Sequence, residues 1–199
     1  MMQKYRLIIL IFISCLYYSI TLPEPGIKGW EILNDGSVWV GYKESGNIPW
    51  CRVVSILPYA IDEIDPIVGN FDNYSKIFTR IVHSEVIENN IVYLQIGMPM
   101  FFSNRDYVVE YNSFTEGRDA GYQWKSVIHS DVPSSDELVR LINAAGEWRL
   151  TPEDNNSTKI SYTWNGELLG DFPNFYLTTA WETQGLEIIE WLIGALENE

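Results

Sequence analysis

Residues 99–109 read Pro-Met-Phe-Phe-Ser-Asn-Arg-Asp-Tyr-Val-Val and place an arginine–aspartate pair at the start of an apolar strand. A buried charge without a partner is costly, so an arginine that enters an apolar strand needs a reason. Because strand side chains alternate between two faces, Arg105 shares a face with Tyr107, Val109 and Tyr111. This pattern predicts either a cavity for a mostly apolar ligand with one polar end, or an arginine that snorkels outward or pairs with a core carboxylate.

The same alternation predicts the walls of this cavity. In each predicted strand one face is apolar, and the opposite face carries polar or charged residues. The predicted ligand-binding residues are Arg105, Val92, Leu94, Ile96, Met98, Tyr107, Val109, Tyr111, Tyr122, Trp124, Trp148, Tyr162, Phe175 and Trp181. We expect Arg105 to point inward, toward the polar end of the ligand or a buried acid, and Asp106 to face outward.

The N-terminus has the pattern of an export signal. A basic segment precedes an apolar run over residues 7–14, and a proline/glycine break follows at residues 23–26. The apolar stretch is shorter than the ~20 residues of a spanning helix, which favours a signal peptide over residues 1–22 above a membrane anchor. Cys15 either belongs to a loose lipoprotein-type lipidation site or is only an apolar residue of the leader. We therefore predict an exported protein, periplasmic or membrane-anchored.

The composition limits the class of partner. The chain has 13 Lys and Arg against 27 Asp and Glu, a net charge of −14, which disfavours nucleic acid and electrostatic adsorption on anionic bilayers. Cys51 is the one cysteine outside the predicted leader, so we predict no internal disulfide. The 8 Trp, 12 Tyr and 8 Phe can build a core or line a large pocket. We expect a tether at residues 23–29 and one monomeric domain over residues 30–199.

Common catalytic and metal-binding motifs are missing from the sequence. It contains no Gly-x-Ser-x-Gly, His-Glu-x-x-His, phosphate-binding or dinucleotide loop, and no Cys-x-x-Cys. No nearby cysteine or histidine completes a metal set with His83 or His129. We therefore predict no cofactor, no metal and no catalytic residue.

The periodicity predicts an α+β fold with an antiparallel sheet. The predicted strands cover residues 38–43, 51–57, 83–88, 91–98, 105–114, 122–128, 138–150 and 159–164. Two short helices follow the second strand, and one long helix runs from Asn174 to about Leu196. The apolar stripe of that helix consists of Phe175, Trp181, Ile188 and Leu192. A curved sheet wrapped around one long helix leaves a cavity wherever the two do not touch.

Three ordered motifs resemble those of the START lipid-transfer domain, a member of the helix-grip superfamily, over residues 27–196. They are Ile91-Val-Tyr93 with Pro99 and Arg105-Asp-Tyr-Val108; Val139-Arg140 with Gly146-Glu-Trp-Arg-Leu-Thr-Pro152; and Gly170-Asp-Phe-Pro173. The resemblance implies a hydrophobic tunnel for one lipid or sterol-like molecule, closed by the C-terminal helix, with the arginine of Arg-Asp-x-Val pointing inward. Two departures are Tyr74, where the family often has tryptophan, and the short loop over residues 129–137.

The sequence leaves two main functions open, and it favours less a third interpretation, a filled core that only binds protein partners. The first is non-enzymatic binding and transfer, or sensing, of a lipid or other hydrophobic molecule, with transient membrane contact. The alternative is a polyketide-cyclase-like enzyme, because the helix-grip superfamily includes such cyclases. An enzyme needs convergent titratable groups in the pocket, whereas a carrier needs only groups that orient the ligand.

Overall fold

The computed structural model describes residues 20–46, 48–99, 102–165, 169 and 174–198. Within them, ten strands form one curved, mainly antiparallel sheet with the order β1-β2-β3-β10-β9-β7-β6-β5-β4, and β8 pairs with β6 alone. The strands are β1 (Glu31–Asp35), β2 (Val38–Ser45), β3 (Ile48–Leu57), β4 (Ile81–Glu88), β5 (Ile91–Ile96), β6 (Arg105–Glu116), β7 (Asp119–Ser126), β8 (Val139–Arg140), β9 (Ala145–Pro152) and β10 (Thr158–Asn165).

The helices are short except for the last. The helical segments are α1 (Ile61–Val68), a 3₁₀ turn (Phe71–Asn73), α2 (Tyr74–Ile77), a second 3₁₀ turn (Asn174–Tyr176) and α3 (Leu177–Leu196). Helix α1 begins where the Glu63 carboxylate accepts the Ala60 backbone N–H at 2.7 Å, an N-terminal capping interaction. Among the described helices, none is long and apolar enough to cross a membrane. The arrangement confirms the predicted helix-grip fold.

Two details of the predicted strands were wrong. Strand β1 was not predicted, so the short helices follow β3, the third strand, and not the second. The single strand predicted over residues 138–150 is two strands, β8 and β9, separated by a turn. Strand β8 pairs parallel with β6, whereas β9 pairs antiparallel with β7 and β10. Apolar residues continue through the turn, and periodicity alone therefore does not mark the break.

Helix α3 covers the concave face of the sheet. Its buried residues are Trp181, Gly185, Ile188, Ile189 and Leu192. The backbone comes close to β2 and β3 at Gly185, where an added Cβ would lie 3.0 Å from a methyl of Val40. At one end of this face the short helices fill the space between α3 and the sheet, and the ring of Phe71 stacks on Tyr111 with centroids 3.8 Å apart.

The N-terminal segment covers part of the convex face. Trp30 packs with Trp39, Trp50 and Ala145 in a second core cluster, against which Ile20 and Leu22 also pack. Residues 23–29, predicted to be a tether, thus lie in a segment that packs on the sheet. The predicted domain boundary at residue 30 leaves this segment out.

Arg52 holds this segment in place. Its guanidinium donates to the carbonyls of Pro23 at 3.2 Å and Glu24 at 2.9 Å, and to that of Gly26. It also lies 4.5 Å from the ring centroid of Trp30, a cation–π contact. Burial lowers the pKa of Arg52 to about 10, so its side chain remains charged at neutral pH.

Candidate functional site: a cavity between the sheet and helix α3

A cavity of about 240 Å³ lies between the end of β5 and the N-terminal half of α3. We call it the mouth. Its wall consists of Arg80, Ile96, Gly97, Met98, Pro99, Tyr176, Thr179, Ala180, Thr183 and Gln184. The mouth forms because β5 ends at Ile96 and the chain leaves the sheet beside α3.

Two smaller cavities lie deeper, and we call them the inner lobes. The first, about 50 Å³, reaches toward α2 and is lined by Tyr74, Phe78, Arg80, Ile81, Ile96, Tyr107, Trp148, Tyr162, Gln184, Ile188 and Trp191. The second, about 40 Å³, is lined by Ile96, Tyr107, Trp124, Leu141, Ala144, Tyr162, Trp164, Asn165, Trp181 and Gln184. Ile96 and Gln184 line the mouth and both lobes, so the three cavities adjoin one another beside these two residues.

Three uncharged polar side chains belong to the wall that the two inner lobes share. Tyr107, Tyr162 and Gln184 line both lobes, and we call this shared wall the neck. Burial raises the pKa of both tyrosines above the ordinary value of 10.0. Both hydroxyls are therefore neutral and able to donate a hydrogen bond near neutral pH.

Aromatic rings form most of the inner wall. Trp148 stacks on Tyr162 at 4.2 Å and on Phe78 at 5.9 Å, and Tyr107 stacks on Trp124 at 5.8 Å. The indole N–H groups of Trp124 and Trp181 are buried and make no hydrogen bond within the described residues. Such a wall gives dispersion contacts to an apolar ligand at little conformational cost.

An ion pair joins α3 to the sheet beside the mouth. Arg80, which precedes β4, donates to both carboxylate oxygens of Glu187 at 2.5 and 3.0 Å. Arg80 lines both the mouth and the first lobe. The pair is partly exposed, with 34% and 28% of the two side chains accessible, so it contributes modestly to stability.

The predicted wall residues fall into two groups along the strands. Those that line the described cavities are Ile96, Met98, Tyr107, Trp124, Trp148, Tyr162 and Trp181. Val92, Leu94, Val109 and Tyr111 are buried in the same core cluster, but they lie outside the lining of these cavities. Whether any of them contacts a ligand stays a prediction.

Two predicted residues lie elsewhere. Phe175 was predicted to face the cavity, but 76% of it is exposed, because the helix begins with a 3₁₀ turn whose orientation the α-helical period does not describe. Tyr122 lies under the end of α1, with its hydroxyl where a Cβ on Gly69 would sit. Burial and the neighbouring Asp65 raise the pKa of Tyr122 to about 12.

Arg105 is fully buried on the concave side of β6. One of its guanidinium nitrogens donates to the Leu169 carbonyl at 2.8 Å and another to the carbonyl of Ser103. These contacts tie the start of β6 to the segment that precedes α3. Arg105 is not among the residues that line the mouth or the inner lobes, and its contact with a ligand stays a prediction.

Asp106 was predicted to face outward, and it does lie on the outer face of the sheet, but it is covered there. It lies on the opposite face from Arg105, as alternation requires, but only 1% of it is exposed. Arg140 covers it and donates to its two carboxylate oxygens at 2.9 and 2.7 Å. The Tyr93 hydroxyl donates to the same carboxylate at 3.2 Å. Two motifs that are distant in sequence thus meet, because β8 pairs with the start of β6.

Sequence reasoning missed Gln184, the polar group of α3 that faces all three cavities. A signal was present, because Gln184 follows Trp181 by three residues and precedes Ile188 by four, which places it on the inward face. Phe78 and Trp191 were also missed, since neither lies in a strand with clear alternation.

The two histidines lie at the surface pairs His83–Glu85 and His129–Glu88. In the part of the chain that the structure describes, no group of three or more histidine, cysteine or acidic residues could hold a metal ion. The predicted leader over residues 1–22, with Cys15, lies outside the described residues up to position 19, as does Gly170 to Pro173.

Comparison with known proteins places the fold. No family model and no curated protein sequence matches the chain. Among solved structures, a STAR-related lipid transfer protein from Xanthomonas axonopodis is 20% identical, with a TM-score of 0.74, over 85% of this chain and 99% of that one. Human StAR-related lipid transfer protein 5 is 16% identical, with a TM-score of 0.78, over 87% of this chain and 88% of that one.

An enzyme also appears among the structural neighbours. An aromatase/cyclase from a Streptomyces species is 13% identical, with a TM-score of 0.52, over 74% of this chain and 93% of that one. At these identities the similarity establishes the fold and leaves the activity open. The chain therefore has the START-type helix-grip fold, as the sequence motifs predicted.

Proposed function

We propose that this protein binds one lipid or other hydrophobic molecule between the sheet and α3 and carries it without chemical change. The observation that carries the proposal is the set of three adjoining cavities between the sheet and α3, walled mainly by aromatic and aliphatic side chains. The structural similarity to lipid transfer proteins supports the proposal at the level of the fold.

The cyclase-like alternative receives less support from the groups at the neck. General acid–base catalysis works best when the pKa of the catalytic group lies near the operating pH. Burial moves the pKa of Tyr107 and Tyr162 away from neutrality. These hydroxyls are suited to hold an oxygen of a ligand and poorly suited to remove a proton from one.

The rim of the mouth fits contact with an uncharged lipid surface. Phe175 and Tyr176 are 76% and 55% exposed, and Tyr176 also lines the mouth. Leu169, bonded through its carbonyl to the buried Arg105, is 39% exposed. The net charge of −14 opposes anionic membranes, so we propose transient contact with zwitterionic membranes. Phe175→Ser should reduce co-sedimentation with phosphatidylcholine vesicles.

A titration with a pyrene-labelled single-chain lipid tests the proposed function. We expect saturable binding, and faster movement of the lipid from donor to acceptor vesicles than occurs without protein. Ile96→Trp should weaken both, because Ile96 lines all three cavities, while Tyr42→Phe should change neither, because its hydroxyl meets Glu44 outside them. Absence of binding by the wild-type protein would contradict the proposal, and binding without transfer would identify a sensor.

Export stays a prediction with its own test. If the leader is removed or retained as an anchor, N-terminal sequencing and fractionation of the native protein will show a chain that begins near Pro23 or one bound to membranes. Ile20 and Leu22 pack against the second core cluster, so removal of residues 1–22 would also remove these two contacts.

A further inference from the structure

The neck carries polar side chains that the binding of a purely apolar ligand would not require. Tyr107 and Tyr162 come from β6 and β10, and Gln184 comes from α3. Three elements distant in sequence therefore each contribute an uncharged hydrogen-bonding side chain to the wall that the two lobes share. Polar groups inside a protein normally have hydrogen-bond partners, so this cluster calls for one.

The protein itself does not satisfy these groups. Within the described residues the side chains of Tyr107, Tyr162 and Gln184 make no hydrogen bond, and they are not among the enclosed polar atoms without a partner, so their polar atoms border open space in the cavities. The two tyrosine hydroxyls and the Gln184 amide are therefore available to form hydrogen bonds with a ligand.

The charges near the neck are already paired. Arg80 is the one charged residue that lines either inner lobe in the described part of the chain, and Glu187 binds it through both carboxylate oxygens. An anionic group at the neck would lose its hydration and gain only neutral donors. An uncharged oxygen would lose less hydration and gain the same donors.

We propose that the neck binds an uncharged oxygen of the ligand, a carbonyl, ether or hydroxyl group, through Tyr107, Tyr162 and Gln184. The apolar parts of the ligand then occupy the lobes on either side. This inference rests on the proposed function and narrows its ligand class to neutral lipids whose oxygen lies between apolar segments. It excludes the free carboxylate of a fatty acid as the group held at this point.

Three probes of equal carbon number test the inference: dihexyl ketone, tridecane and tridecanoate. Binding is followed by tryptophan fluorescence, because Trp148 and Trp191 line the first lobe. For the wild-type protein at neutral pH we expect the ketone to bind most tightly. Tyr162→Phe and Gln184→Leu should each weaken ketone binding about five- to tenfold, the effect of one lost hydrogen bond, and leave tridecane binding within about twofold.

Tyr42→Phe is the matched control, since it also removes one hydroxyl, but at the surface beside Glu44, 2.9 Å away. Thermal melts of each variant verify the fold. If the wild-type protein binds tridecanoate or tridecane as tightly as the ketone, or if neither neck variant weakens ketone binding, the inference is overturned while the proposed function stands. If the wild-type protein binds none of the three probes nor the pyrene lipid, the proposed function itself fails.

Discussion

Asp106 and Arg140 form a charged contact that is almost closed to water. Asp106 is 1% exposed, and Arg140 also donates to the carbonyls of Val132 and Pro133. Asp106→Ala leaves the Arg140 charge without its carboxylate, so we expect the free energy of unfolding to fall by ~3–5 kcal/mol. Urea denaturation measures this change.

A surface pair provides the control for that measurement. Glu153→Ala removes the partner of Lys159, 3.5 Å away and about as exposed, and should cost ~0–1 kcal/mol. The double variant Asp106→Leu/Arg140→Met should recover part of the loss, because an apolar pair needs no desolvation. Equal losses for Asp106→Ala and Glu153→Ala would show that the buried pair does not stabilise the fold.

At the scale of residues, the alternation in the sequence predicted on which face of the sheet a side chain lies, but not how deeply it is buried. It placed Tyr107 and Tyr162 on the concave face, where the structure has them. It could not show that Asp106 is covered, because the covering residue Arg140 is 34 positions away and its two-residue strand has no period. It also could not show that Phe71 fills one end of the concave face beside Tyr111.

Helix α3 depends on a close approach at Gly185. An added Cβ there would lie 3.0 and 3.1 Å from the two methyl groups of Val40. Gly185→Leu should therefore move the helix off the sheet and lower the free energy of unfolding by ~1–3 kcal/mol. Gly194→Ala is the control, since no atom lies within 4 Å of its added Cβ, and should raise stability by up to ~1 kcal/mol. An unchanged melt for Gly185→Leu would contradict this packing.

The N-terminal segment is expected to stabilise the sheet through Arg52. A chain that begins at residue 30 lacks the carbonyls of Pro23, Glu24 and Gly26, so the Arg52 guanidinium loses these three acceptors and keeps only Thr163, at 2.7 Å, among the described residues. We expect it to be less stable than a chain that begins at residue 20 by ~1–3 kcal/mol or more. Arg52→Met should lower the free energy of unfolding less in the shorter chain than in the longer one. Equal stability of the two chains would mean that the segment is a tether after all.

At the scale of elements, the errors have a common physical origin. Strand β1 is five residues long and lies at the sheet edge, so its burial alternates weakly. The turn between β8 and β9 contains the apolar residues Leu141 and Ala144, which line the second lobe. Tertiary contacts and not local periodicity define both features.

The whole molecule should lose stability in acid. Burial alone raises the pKa of Asp119, but hydrogen bonds from Arg149 at 2.9 Å and Thr151 at 2.8 Å outweigh it, and the pKa lies below its ordinary value of 3.8. The stabilisation is therefore complete above the unfolded-state value and is lost as the pH falls through the lower folded-state value. Melting temperatures measured from neutral pH to about pH 3 should fall below about pH 4.

Two variants test whether Asp119 causes this loss of stability in acid. Asp119→Asn removes the titrating group and should flatten the fall in melting temperature. Asp62→Asn, at an exposed position of α1 outside this network, should leave the fall as it is in the wild-type protein. If both variants keep the full pH dependence, the acid effect arises elsewhere in the molecule.

The fold of the whole molecule could be predicted because its motifs and its long helix are local in sequence. The position of the cavity could not, because it is the space left after Phe71, Tyr74 and Phe78 fill one end of the concave face. Gln184 illustrates the difference. Its inward orientation follows from helical spacing, but its place at the neck depends on Tyr107 and Tyr162 from two other elements.

Native mass spectrometry of the protein after incubation with vesicles of mixed neutral and anionic lipids tests the central claim most directly. We expect one lipid molecule per protein chain, drawn from the neutral lipids, and loss of that adduct in the fully folded Ile96→Trp variant. A wild-type spectrum with no lipid adduct, or with adducts that Ile96→Trp retains unchanged, would contradict binding in the cavity between the sheet and α3.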